Sequence, residues 1–212
     1  ATVESLKGTK VDQVCIGSCT NSSLFDMLKV AKLLKGKKIA PTVSLSISPG
    51  SKQVLTMLAN SGALTDILDS GARLLECACG PCIGMGFSPN SAGVSLRTFN
   101  RNFLGRSGTK DAKVYLVSPE TAVAAALTGE ITDPRLLGEE PVVDMPKSFR
   151  IDDSAVLPPL SASEAKNAVV LRGPNIKEFP DANPLDDNLT AAVSLKTGDN
   201  ITTDHIMPAG SK

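Results

Sequence analysis

The segment with the strongest structural signal is Val11-Asp12-Gln13-Val14-Cys15-Ile16-Gly17-Ser18-Cys19-Thr20-Asn21-Ser22, in which a predicted buried strand leads into a small polar turn. The apolar run at residues 11–16 predicts the strand, and Gly17 ends it. From Ser22 an amphipathic helix follows, with apolar residues on one face and lysines on the other. Strand, turn and helix form half of a βαβ unit, in which ligands bind at the carboxyl end of the strand. Cys19 lies at that end.

The same pattern repeats along the chain. Further strands are predicted over residues 42–47, 72–77 and 113–117, and further helices over residues 52–60, 64–68 and 119–127. Ser118 is placed to cap the last of these helices, and Pro119 occupies its first position. Such alternation is typical of a parallel sheet covered by helices. We therefore predict a three-layer α/β/α domain with a mostly parallel sheet.

The distribution of proline divides the chain. Seven prolines fall between residues 138 and 188, in a stretch with little periodicity, which indicates an extended linker. The α/β domain is therefore assigned to residues 1–137, the linker to 138–188 and the truncated start of another domain to 189–212. The abrupt beginning and the end just after a charged motif lead us to expect a piece of a longer protein.

Composition excludes several classes of function. Lys and Arg total 22, as do Asp and Glu, so no net charge attracts nucleic acid or an anionic membrane. No run of 18 apolar residues predicts a membrane span, and the first residues lack the pattern of a signal peptide. The five cysteines are odd in number and clustered, which argues against a disulfide framework. They favour thiols held for a metal in a reducing compartment, and we expect a cytoplasmic location.

A second loop, Glu76-Cys77-Ala78-Cys79-Gly80-Pro81-Cys82-Ile83-Gly84, carries three thiols within six residues. Cys79 and Cys82 have the spacing used by zinc sites, redox dithiols and iron–sulfur ligands alike. Cys19 is the candidate for a third ligand, because both loops leave the carboxyl ends of predicted strands. Three cysteines would leave one metal position open for chemistry. Cys15 and Cys77 are interpreted as buried core thiols.

Two further elements carry charge that suits a binding site. Arg101 and Arg106 lie five residues apart in a loop, where guanidinium groups could bind the carboxylates of a polycarboxylic acid. The alternative is two solvated surface arginines. His205 is the only histidine of the chain, and a lone histidine is more often structural than catalytic.

Five motifs in this chain together resemble those of the aconitase superfamily, in the same order. They are Ile16-Gly17-Ser18-Cys19-Thr20-Asn21-Ser22, Ala78-Cys79-Gly80-Pro81-Cys82-Ile83-Gly84, Asn100-Arg101-Asn102-Phe103-Leu104-Gly105-Arg106, Val117-Ser118-Pro119-Glu120-Thr121-Ala122 and Thr202-Thr203-Asp204-His205-Ile206. The resemblance covers nearly the whole chain. It implies the third domain of such an enzyme, followed by the linker and the first residues of its swivelling fourth domain.

The resemblance also implies a cofactor. A [4Fe–4S] cluster would be held by Cys19, Cys79 and Cys82, and its fourth iron, without a protein ligand, would act on substrate as a Lewis acid. Cys15 and Cys77 have no counterpart in the family's pattern, in agreement with their interpretation as core residues. An exposed cluster in the isolated chain is expected to be oxidised and lost easily.

Roles for four other residues follow from the resemblance alone. Asn100 would lie beside the cluster, Arg101 and Arg106 would bind substrate carboxylates, and Asp204 would be a catalytic aspartate at the entry to the fourth domain. The substrates implied are citrate, cis-aconitate and isocitrate. The first two domains and the rest of the fourth are absent from this sequence, so we expect the chain to be inactive by itself.

Alternatives stay open within and beyond the superfamily. Gly80 and Pro81 between the two cysteines favour an aconitate hydratase over a homoaconitase or the large subunit of an isopropylmalate isomerase. Continuation into Asp204 favours a parent that carries the swivel domain on the same chain. A non-catalytic zinc or dithiol module is the alternative from another class.

Overall fold

The computed structural model describes residues 1–207, apart from the side chain of residue 204. Its centre is a five-stranded sheet in the order β3-β2-β1-β4-β5, and every neighbouring pair of strands is parallel. The strands are β1 (Gln13–Gly17), β2 (Ser44–Ser48), β3 (Arg73–Leu74), β4 (Val94–Arg97) and β5 (Lys113–Leu116). The predicted α/β class and mostly parallel sheet are confirmed.

The main helices pack on one face of this sheet. They are α2 (Leu24–Leu34), α3 (Lys52–Ser61), α4 (Ala63–Asp69) and α5 (Pro119–Thr128), after a short α1 (Val3–Leu6). Ser118 accepts a hydrogen bond from the backbone of Thr121 and so caps α5, as predicted. The helices bury one core with the alternate strand residues that point toward them, including Val14, Ile16 and Leu96.

The other face of the sheet is polar and is covered by the cysteine loop. Gln13, Cys15, Ser95 and Arg97 lie on this face, because side chains alternate along strands β1 and β4. Cys15 forms a second, small cluster there with Phe87 and Phe99. The covering layer thus contains the short 3-10 turn Pro81–Ile83 in place of the long helices expected there.

Two strands differ from the sequence prediction for physical reasons. Strand β4 was not predicted, because its four residues alternate apolar and polar side chains over too short a run, yet it lies beside β1 near the middle of the sheet. Strand β3 has two residues, where six were expected at 72–77. After Leu75 donates a hydrogen bond to the carbonyl of Ile47 (2.9 Å), the chain leaves the sheet and enters the cysteine loop.

The chain divides into two units, Ala1–Ile151 and Asp152–Ile206. In the second unit the helices are the single turns α6 (Ala162–Ala165) and α7 (Thr203–Ile206), and residues 153–203 are all exposed. The assignments of a linker at 138–188 and a new domain from 189 remain predictions, and residues 208–212 of the latter lie outside the described part. No helix within residues 1–207 is long and apolar enough to cross a membrane.

Candidate metal centre

The loop that carries Cys19 is fixed by backbone bonds at the end of β1. Ser18 adopts φ +70° and donates its amide to the carbonyl of Ser48 at 2.8 Å. Asn21 donates its side-chain amide to the carbonyl of Thr98, which ties the loop to the end of β4 as well. These bonds leave the Cys19 side chain exposed at the carboxyl edge of the sheet.

The loop that carries Cys79 and Cys82 is a tight reversal. The carbonyl of Gly80 accepts hydrogen bonds from the amides of Ile83 (3.1 Å) and Met85 (3.0 Å). Gly84 then turns the chain with φ +83°, and a Cβ atom there would lie 2.2 Å from the carbonyl oxygen of Ser107. Only glycine lets the cysteine loop approach the backbone beside Arg106 so closely.

The three predicted ligands converge in the folded chain. The thiol of Cys79 interacts with those of both Cys82 and Cys19. The charge of Cys82, burial and the charge of Cys19 raise the pKa of Cys79, so neighbouring sulfurs disfavour a second thiolate. A bound cation would reverse this effect, because it displaces the protons of its ligands.

The donor set consists of the three thiols of Cys19, Cys79 and Cys82. Among residues 1–207, no group of three or more His, Cys, Asp or Glu side chains is arranged to hold a single metal ion.

Arg106 lies against one of these thiols. Its side chain is 7% exposed, and its Nη2 atom lies 3.9 Å from the sulfur of Cys82. The guanidinium also lies over the ring of Phe103, 5.4 Å from the ring centroid. Asn100 and Arg101 are exposed at the start of the same loop. The structure therefore brings Arg106 to the cysteines, whereas the roles of Asn100 and Arg101 remain predictions.

The remaining predicted residues divide between core, loop and the second unit. Cys15 is fully buried, and burial raises the pKa of its thiol, which confirms it as a core residue. Cys77 is half-buried in a bend of the cysteine loop. Asp204 belongs to α7, and its catalytic role stays a prediction. His205 accepts a hydrogen bond at Nδ1 from the amide of Thr202 (3.0 Å), so its ring closes a local turn.

Sequence reasoning missed two residues at this site. Ser18 is 3% exposed, and its hydroxyl has no hydrogen-bond partner among the described residues. Arg97 is 1% exposed beneath the cysteine loop and donates to the carbonyl of Pro81. The signal for Arg97 was a lone charge two residues before Phe99 in an otherwise strand-like sequence.

The profile of the Aconitase family (aconitate hydratase) matches residues 2–129, which include both cysteine loops and the Arg106 loop. The chain belongs to the aconitase family. The predicted superfamily is thereby confirmed on the part of the chain that forms the sheet and carries the candidate ligands.

Individual relatives refine this result. The homoaconitase large subunit of Thermus thermophilus is 45% identical over 141 residues, which are 66% of this chain and 34% of that protein. The 3-isopropylmalate dehydratase large subunit 1 of Archaeoglobus fulgidus is 44% identical over 134 residues, 63% of this chain and 32% of that protein. The mitochondrial homoaconitase of Candida albicans is 37% identical over 205 residues, 96% of this chain and 29% of that protein.

The chain thus spans about a third of the length of these curated relatives. They are homoaconitases and a 3-isopropylmalate dehydratase, so they match the alternative considered above better than the preferred aconitate hydratase. Gly80 and Pro81 between the cysteines therefore did not discriminate within the superfamily.

Proposed function

We propose that this chain is the cluster-bearing part of a hydro-lyase of the homoaconitase and isopropylmalate dehydratase kind. The observation that carries the proposal is the convergence of Cys19, Cys79 and Cys82, with the Arg106 guanidinium 3.9 Å from the Cys82 sulfur. Thiols and a neighbouring arginine suit an iron–sulfur cluster beside an anionic substrate.

The residues present fit a [4Fe–4S] cluster. Three thiols form the donor set, one fewer than a closed structural zinc site or an ordinary four-iron site has, so one metal position would stay open. The buried Ser18 hydroxyl lacks a protein acceptor and would be free to donate to a sulfur of the bound group. These features, together with the family, argue against a non-catalytic zinc or dithiol module.

A bound cluster would supply an iron without a protein ligand, a Lewis acid for the leaving hydroxyl. The chain's own residues would orient the substrate. Arg106 can pair with a carboxylate while its guanidinium stacks over the ring of Phe103, and this contact fixes the guanidinium before substrate arrives. Asn100 and Arg101, exposed at the mouth of the same loop, would extend the binding surface.

Apart from Asp204, the rest of the active site is proposed to lie in other domains of the parent protein. A hydro-lyase needs a base for the carbon-bound proton and contacts around a closed cavity. Asp204 is proposed to join the site once the missing first, second and fourth domains are present. The alignment over 205 residues with the Candida albicans homoaconitase supports a parent that continues on the same chain. Two other relatives are named large subunits, so a separate small subunit is the other outcome.

The proposal is tested with the full-length parent, purified and reconstituted anaerobically with iron and sulfide. Homoaconitate, cis-aconitate and 3-isopropylmalate are assayed by the ultraviolet absorbance of the unsaturated acids. We expect hydration or dehydration of homoaconitate or 3-isopropylmalate, and loss of activity in Arg106→Ala. Efficient turnover of cis-aconitate alone would restore the aconitate hydratase assignment, and no turnover of any of the three would refute the proposed reaction.

A further inference from the structure

Arg97 is a buried cation beneath the cysteine loop. It ends strand β4 on the polar face of the sheet and is 1% exposed. Its Nε donates to the hydroxyl of Ser95 at 3.0 Å, and its Nη2 donates to Gln13 Oε1 at 2.8 Å and to the carbonyl of Phe87 at 3.1 Å. Its Nη1 donates to the carbonyl of Pro81. Four of the five N–H donors of the guanidinium are therefore used.

The acceptors around Arg97 are all neutral. Within residues 1–207 no carboxylate pairs with its guanidinium, and the ionisable groups that face it are the thiols of Cys15 and Cys82. Burial without a full counter-charge lowers the pKa of Arg97, although guanidinium remains protonated under ordinary conditions. A buried charge without an ionic partner destabilises a fold. Such a cost suggests that the missing negative charge arrives with a bound group.

The hydrogen bonds of Arg97 hold the ligand loop at two points, one inside it and one just after it. Pro81 lies between Cys79 and Cys82, and Phe87 lies just beyond the reversal at Gly84. The planar guanidinium group of Arg97 thus bonds both points to the sheet, an arrangement that the ammonium group of a lysine could not reproduce. The position of the Cys82 sulfur depends on this link, because residues 81–83 form a single tight turn.

We infer that Arg97 is a positioning residue for the metal-binding loop and the internal counter-charge of the thiolate-bound group. This inference rests on the proposed cluster. Three thiolates and a cluster add negative charge next to a guanidinium that has no carboxylate partner. The buried positive charge should favour the more reduced, more negative state of the cluster and so raise its reduction potential.

Four variants separate the charge of Arg97 from its hydrogen bonds. Arg97→Met removes both the charge and the guanidinium hydrogen bonds, whereas Arg97→Lys keeps the charge and loses those hydrogen bonds. Gln13→Glu keeps the chain length and places a carboxylate 2.8 Å from Arg97 Nη2, where it cancels the charge inside the protein. Arg73→Met is the matched control, because Arg73 is exposed and lies over the ring of the same Phe87, 5.1 Å from its centroid.

The proteins are reconstituted anaerobically, and the reduction potential of the cluster and its rate of iron loss to a chelator are measured. We expect a lower potential than wild type in Arg97→Met and in Gln13→Glu, and an unchanged potential in Arg97→Lys and Arg73→Met. Iron loss should be at least tenfold faster in both Arg97 variants, because both lose the guanidinium hydrogen bonds to the loop. If Arg97 had only a structural role, the variants would differ in the rate of iron loss, but their reduction potentials would not follow the charge at this position.

Equal potentials in Arg97→Met, Gln13→Glu and wild type would overturn the inference while leaving the proposed cluster intact. A fall in only one of these two variants would also overturn it, since both remove the same net charge. Where Arg97→Met does not fold, Gln13→Glu decides alone. A wild-type chain that takes up no iron or sulfide would overturn the proposed cluster and the inference together.

Discussion

Replacing Gly84 by alanine should separate the cysteine loop from the Arg106 loop. Gly84 has φ +83°, which costs an alanine roughly 1–2 kcal/mol. In addition, the new Cβ would lie 2.2 Å from the carbonyl oxygen of Ser107 and 2.9 Å from the amide nitrogen of Gly108. Both atoms are backbone and cannot rotate away, and forced overpacking costs about 1–3 kcal/mol more. We expect Gly84→Ala to lower the free energy of unfolding by ~2–5 kcal/mol in total.

Gly86→Ala is the matched control. Gly86 has φ +74°, but a Cβ atom there would meet nothing within 4 Å. The positive φ alone should therefore lower the free energy of unfolding of this variant by roughly 1–2 kcal/mol, and the approach of Gly84 to Ser107 stays intact. Urea denaturation gives the free energies of unfolding, and iron and sulfide analysis after reconstitution gives the occupancy of the site. Gly84→Ala should be the less stable variant and should bind less iron. Equal stability and equal iron content in the two variants would refute the role assigned to this close approach.

Three other outcomes follow from the contacts of unit 1. An alkylating reagent should modify exposed Cys19 within the native protein, but should reach fully buried Cys15 only on unfolding; equal rates would contradict the assigned burial. Ser118→Ala should cost about 1 kcal/mol of stability by removing the cap of α5, and Ser118→Asp should restore it. Although burial opposes it, hydrogen bonds from its own backbone and from Lys29 lower the pKa of Glu120. This stabilisation is complete above the unfolded pKa of about 4.3 and is lost as pH falls through the folded value, so Glu120→Gln should flatten the acid limb of stability against pH.

Periodicity predicted the parts of the fold that bury apolar side chains against helices. Strand β1, the helix after Ser23 and the capped helix at Ser118 follow from local patterns of apolar residues, turn residues and caps, and each lies within two residues of its predicted position. The convergence of Cys19 with Cys79 and Cys82 could also be anticipated, because parallel strands place their carboxyl ends at one edge of a sheet.

The polar face of the sheet could not be predicted from local sequence patterns. Strand β4 carries Ser95 and Arg97, whose burial depends on hydrogen bonds to residues distant in sequence, such as Gln13. No local window contains those partners, so the strand and its buried arginine were missed. The two arginines of the Arg106 loop looked equivalent in sequence, yet only tertiary packing on Phe103 and the cysteine loop buries Arg106.

A series of cysteine-to-serine variants identifies the ligands of the proposed cluster. Each of the five cysteines is replaced by serine in turn, and the iron and sulfide bound after anaerobic reconstitution are counted. We predict that Cys19→Ser, Cys79→Ser and Cys82→Ser each lose the cluster and its broad visible absorbance. Cys15→Ser and Cys77→Ser should bind as much iron and sulfide as wild type, with a loss of stability for buried Cys15. Equal loss of iron in all five variants, or a full complement of iron and sulfide in any of the first three, would contradict this assignment of the ligands.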